Sequence, residues 1–96
     1  MPSADMLMNG SLAFLETDST QRRCTGAAGR HPLLLVTNVG ANAVRVGVKG
    51  STLTAVGTVT QSDGQCDLAP AAQVFFTESF EYVSTSGSSL RVEALP

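Results

Sequence analysis

The sequence predicts an all-β fold: an antiparallel β-sandwich of about seven or eight short strands, jelly-roll or immunoglobulin-like in type. Three observations lead there. Residues 43–49 and 90–94 alternate apolar and polar with a period of two, which places one side of a strand in a core and the other in water. Threonine and valine each occur ten times, isoleucine is absent, and clusters of Gly, Ser and Thr interrupt the apolar runs at short intervals. No window of 11–18 residues holds the 3.6-residue apolar stripe that a helix requires.

Residues 11–16 (Ser-Leu-Ala-Phe-Leu-Glu) give a first strand. Residues 33–39 open with Leu33, Leu34, Leu35 and Val36, apolar on both faces, as in a central strand covered on each side. Asn38, Gly40 and Asn42 then supply turn chemistry. With Val44, Val46 and Val48 on one face of the next strand, residues 33–48 read as a hairpin. A weaker strand is expected over 53–60, with Gly57 at a bulge or a close backbone approach, before an Asp63-Gly64 turn. Cys66, Asp67 and Leu68 form a short strand stopped at Pro70. In residues 73–84, Val74, Phe76, Phe80 and Tyr82 share a face that Glu78 interrupts, so a bend near Glu78 and Ser79 is expected. A Ser/Gly turn over 84–89 precedes the closing strand.

The domain reading is an arm over residues 1–10 and one sandwich domain over 11–96 that includes a long loop, 17–32. That loop holds three of the six basic residues (Arg22, Arg23, Arg30) and the single histidine, His31. Loops of this length are uncommon unless functional or disordered.

Ninety-six residues with 43% hydrophobic and 15% charged content suit one small domain with a real core. A formal charge of −2 lacks the basic surplus of a nucleic-acid binder. No apolar run approaches the roughly 20 residues of a membrane helix, and residues 1–10 lack the pattern of a secretory signal. Cys24 and Cys66 are accordingly expected as reduced thiols, and a disulfide closing a loop of about 40 residues is the alternative.

Catalytic and metal signals are weak. His31 stands between Arg30 and Pro32 with no nucleophile-elbow pattern anywhere in the chain. Val48-Lys49-Gly50-Ser51 lacks the residue order of a phosphate loop, and Asp63 with Asp67 falls short of a calcium set. Two cysteines and one histidine do not make a zinc quartet. No catalytic residue, cofactor or metal site is assigned. The Arg22-Arg23 pair suits an acidic protein surface or a phosphate, or else a solvated loop. Phe75 and Phe76 must face opposite ways on a strand, so one needs cover from a loop or another subunit. The same holds for the run containing Leu34. Arg22, Arg23, Arg30, Leu34 and Phe75 are therefore the candidate interface residues.

Thr37-Asn38-Val39-Gly40, Leu68-Ala69-Pro70 and the segment from Tyr82 to Val92 resemble the small β-sandwich accessory proteins of tailed bacteriophage virions, the capsid decoration or cement proteins and related head or tail proteins. The likeness covers about residues 33–95. It implies a non-enzymatic protein made in the host cytoplasm and carried on the virion. Such a protein stabilises the head by binding across subunits of the major capsid protein as a homo-oligomer, often a trimer, with no nucleic-acid or membrane partner. The alternative is an immunoglobulin-like module for a cell-surface glycan or protein.

Overall fold

The computed structural model describes residues 12–24, 33–53 and 65–95, which carry eight strands and no helix. They are β1 (Leu12–Glu16), β2 (Arg22–Cys24), β3 (Leu33–Asn38), β4 (Val44–Val48), β5 (Gln65–Leu68), β6 (Gln73–Phe76), β7 (Phe80–Val83) and β8 (Ser89–Leu95). One sheet, here sheet A, has the order β1-β8-β3-β6, and the other, sheet B, has β2-β7-β4-β5. Every pairing is antiparallel.

The order has a simple logic. β1 pairs with β8, β2 with β7, β3 with β6 and β4 with β5. The chain is one long hairpin folded between β4 and β5, and its successive rungs are laid alternately in the two sheets. This is the jelly-roll way of building a sandwich. The immunoglobulin order, which keeps strands A and B in one sheet, does not fit.

Alternation along the strands places the core between the sheets. Sheet A contributes Leu15, Leu34, Val36, Leu90, Val92 and Ala94; sheet B contributes Cys24, Val44, Val46, Leu68, Phe80 and Tyr82. Phe76 and Phe80 stack across the gap with ring centroids 4.7 Å apart, and Tyr82 tilts against Phe80. The bend expected near Glu78 is where the chain passes from sheet A to sheet B. Glu78 is exposed there, so no carboxylate enters the core.

Three expectations need correction. Residues 33–48 are not a hairpin, because β3 and β4 lie in opposite sheets. Their alternation shows which faces are buried, and that pattern is the same whether two strands pair or face each other. The stretch 17–32 is not one long loop, since it contains β2, a three-residue edge strand too short to give a visible pattern. Finally, the face of β4 expected to be wet buries Arg45, which is ion-paired to Asp67 on β5. The arm 1–10, His31, the strand expected beyond Leu53 and the Asp63-Gly64 turn lie outside the described residues.

Asn38 ties one end of the sandwich together. Its Nδ2 donates to the carbonyls of Asn42 (2.7 Å) and Leu68 (2.8 Å), and its Oδ1 accepts from the Gly40 amide (3.0 Å) and the Ser88 hydroxyl (2.8 Å). Its backbone N–H donates to Ala72 and its carbonyl accepts from Ala71. The side chain is fully buried and uses its whole hydrogen-bonding capacity. Three connections, β3–β4, β5–β6 and β7–β8, thus meet on one residue. Gly40 belongs to the same closure, because a Cβ there would lie 2.6 Å from the Ser89 backbone nitrogen. Asn38→Ala orphans several buried groups and should cost about 2–4 kcal/mol in urea unfolding. Asn38→Asp should be comparably harmful, since a carboxylate would face two carbonyls. A loss below about 1 kcal/mol in both variants would refute this role for Asn38.

Candidate interaction surface

The two outer faces of the sandwich differ. On sheet B the outward side chains are Arg23, Glu81, Val83, Arg45, Gln65 and Asp67, and most of their polar groups are satisfied internally. Arg23 Nε donates to Glu81 Oε2 at 2.7 Å, and the Gly50 amide donates to the same oxygen at 3.1 Å. Gln21 Nε2 donates to Glu81 Oε1 and to the Ser51 carbonyl, while Gln21 Oε1 accepts from the Leu53 amide. Residues 50–53 are thereby fastened over β2 and β7. Burial pushes the Glu81 carboxyl up, but the hydrogen bonds from Gly50, Arg23 and Gln21 outweigh it and hold the group below the usual carboxylate range.

Arg45 and Asp67 form the other pair on this face. Asp67 reinforces the protonated guanidinium. The Arg45 Nη2 and Asp67 Oδ2 atoms have no hydrogen-bond partner among the described residues. The two are register partners on β4 and β5, and a pair buried and only partly satisfied is weak evidence for net stability.

Sheet A is built the other way. Its outward side chains fall into rows set by the strand register: Leu12, Glu93, Leu35 and Phe75 in one, Phe14, Arg91, Thr37 and Gln73 in the next, and Glu16 with Ser89 in a third. Phe14 is 62% exposed, Phe75 55% and Leu12 48%. Leu33 and Leu95 sit half-buried beside them. Arg91 and Glu93 form a pair 3.3 Å apart on β8, in the middle of this surface. The face thus exposes several large apolar side chains around a central ion pair and a few polar groups, and covering them would bury apolar surface.

The expected interface residues divide. Phe75 lies on this face, as its adjacency to the buried Phe76 required. Leu34 is 1% exposed and belongs to the core, so it presents no surface to a partner. Its neighbours Leu33 and Leu35 take the outward positions. Arg22 points to the core side of edge strand β2, with its aliphatic stem sheltered and its guanidinium 2.9 Å from Asp18 at the end of the sandwich. Arg23 is engaged with Glu81. Arg30 lies outside the described residues. Leu12, Phe14, Arg91 and Glu93 were missed. Leu12-Ala13-Phe14-Leu15 carried the same two-sided apolar signal as Leu33–Val36 but was read only as a strand.

The cysteines fit the reduced state. Cys24 on β2 and Cys66 on β5 occupy opposite edges of sheet B and are free. Three strand spacings of about 4.8 Å separate the edges, too far for a disulfide. Burial pushes the Cys24 thiol up to about 12, which leaves it unreactive near neutral pH. No helix among the described residues is long and apolar enough to cross a membrane.

Comparison of the chain with family models, curated proteins and solved structures finds no match in any of the three.

Glu81 gives this region a defined pH dependence. Its carboxyl is held below its ordinary value of 4.5, so its stabilisation is complete above that value and is lost as pH falls through the lowered one. Glu81→Gln should lower the melting temperature by several degrees at pH 7 and flatten its decline between about pH 5 and about pH 3. Some slope should persist from Asp18, whose carboxyl Arg22 holds down. An unchanged acid slope in thermal melts of the variant would contradict the assignment.

Proposed function

We propose that this chain is a structural virion protein, a decoration protein that stabilises a phage head. It binds across subunits of the major capsid protein as a homo-oligomer. The observation that carries the reading is the outer face of sheet A, where Leu12, Phe14 and Phe75 stand in solvent on a body whose end is locked by Asn38. Adhesion between large objects needs that combination. A rigid sheet face loses little conformational entropy on docking, and each phenylalanine fully buried contributes roughly 2–3 kcal/mol.

The jelly-roll strand order agrees with the reading by analogy, since viral coat domains use this architecture, as lectin domains and cupins also do. That support is of fold level only, and the apolar face carries the specific argument. Several weak contacts of this kind, repeated over a particle, add through multivalency to an attachment that none supplies alone. The protein is made in the host cytoplasm and acts on the assembled particle.

The test is immunogold labelling of virions banded on a density gradient from the culture that produces the chain. Wild-type protein should decorate particle surfaces in many copies. A variant carrying Phe14→Ser and Phe75→Ser should keep its β circular-dichroism signal, because both side chains lie outside the core, and lose labelling at least tenfold. Wild-type chain absent from purified particles, or labelling that survives both substitutions, would overturn the proposal.

A further inference from the structure

The outer face of sheet A has a pattern that selects its occupant. Neighbouring rows along the strands lie about 6.6 Å apart. Two copies packed face to face are related by a two-fold axis that lies in the plane between them. If that axis crosses the strands midway between the two central rows, each row of one copy meets the other row of its mate. Leu12 then lies against Phe14, Glu93 against Arg91, Leu35 against Thr37 and Phe75 against Gln73. Apolar side chains meet at the β1 edge, an amide packs on a ring at the β6 edge, and opposite charges meet in the middle. If the axis instead runs along the strands, between β8 and β3, Glu93 is set against Leu35 and Arg91 against Thr37, and the Arg91–Glu93 pair of each copy is covered with no opposite charge from its mate.

We infer that the outer face of sheet A binds a second copy of this chain, in a two-fold dimer closed by a four-charge cluster of Arg91 and Glu93 from both copies. Those two side chains already form a pair within each copy, at 3.3 Å. The dimer contact completes the cluster, so that each charge has an opposite neighbour along the strand and another across the interface. The face is self-complementary, as a two-fold interface requires. Four strands at about 4.8 Å and five to seven residues at about 3.3 Å give a footprint of roughly 400 Å² per copy. That is about 800 Å² in total, below the roughly 1,000 Å² of stable interfaces, so the dimer is a weak, concentration-dependent one rather than permanent. The inference rests on the proposed function and deepens it: the outer face of sheet A makes the contact between copies of the homo-oligomer, and the capsid is met by the other surfaces of the dimer.

Sedimentation velocity on the full chain at concentrations up to about 0.5 mM tests it, with the wild type expected to shift from monomer to dimer. Arg91→Glu and Glu93→Arg, each alone, set like charges across the interface and should weaken the dimer at least tenfold. An equimolar mixture of these two variants should dimerise again, because all charges of one then face opposite charges of the other. The double swap Arg91→Glu/Glu93→Arg should dimerise as the wild type does and serves as the control for folding. A wild type that stays monomeric at 0.5 mM would overturn the inference, as would a dimer indifferent to the single reversals or a mixture that fails to reassociate. Virion labelling is read separately. A monomer that decorates particles would remove the dimer and leave the virion role, whereas a dimer absent from particles would do the reverse.

Discussion

The amide of Asn38 is the constraint on which the rest of this molecule depends. A jelly roll must carry its chain between sheets at both ends, and each crossing exposes backbone groups that no strand pairs. At this end the carbonyls of Asn42 and Leu68, the amide of Gly40 and the hydroxyl of Ser88 all turn toward one buried side chain, which has two donors and two acceptor sites to give them. No apolar residue can fill that space without orphaning several of them. Nearby, Ser84 donates to the Ala43 carbonyl, and Thr17 and Ser88 exchange hydrogen bonds through the Thr17 hydroxyl. The crossings at this end are joined to one another through short polar side chains.

The register of the strands gives the two outer faces their separate characters. Sheet B spends its charges inwardly: Arg23, Gln21 and Gly50 converge on Glu81, and Arg45 is matched by Asp67. Apart from Arg45 Nη2 and Asp67 Oδ2, most of its polar groups are partnered within the molecule. Sheet A instead leaves Leu12, Phe14 and Phe75 exposed around one ion pair, beside Glu16, Thr37, Gln73 and Ser89. A sandwich with one face closed by its own contacts and the other left apolar is suited to sticking in one orientation. Both the virion role and self-association proposed above draw on this asymmetry.

Much of the fold was legible because burial imprints a period of two. Val44, Val46, Leu90, Val92 and Ala94 announced their strands and their inward sides. The Phe75-Phe76 step announced that one ring must face out. What did not show was which strands pair, since facing and paired strands leave the same imprint; hence the 33–48 hairpin that is in fact a crossing between sheets. Asn38 looked like turn chemistry, and it is, but its long-range role depends on Leu68 and Ser88, which are 30 and 50 positions away in sequence. β2 was invisible because three residues carry no period. Arg22 and Arg23 read as loop cations for the same reason, although one neutralises Asp18 and the other Glu81. The apolar face of sheet A was half visible: Phe75 was singled out, but its companions sit 40 and more residues away on β1 and β3.

Native-state amide hydrogen exchange tests most directly whether Asn38 fixes the body that carries these faces. The amide of Gly40 lies outside any strand and its acceptor is the Asn38 side chain. If that side chain is the lock, Gly40 should exchange only through global unfolding, with a protection free energy within about 1 kcal/mol of the central β8 amides. Exchange at Gly40 through a local opening several kcal/mol cheaper, with β8 still protected, would contradict the account.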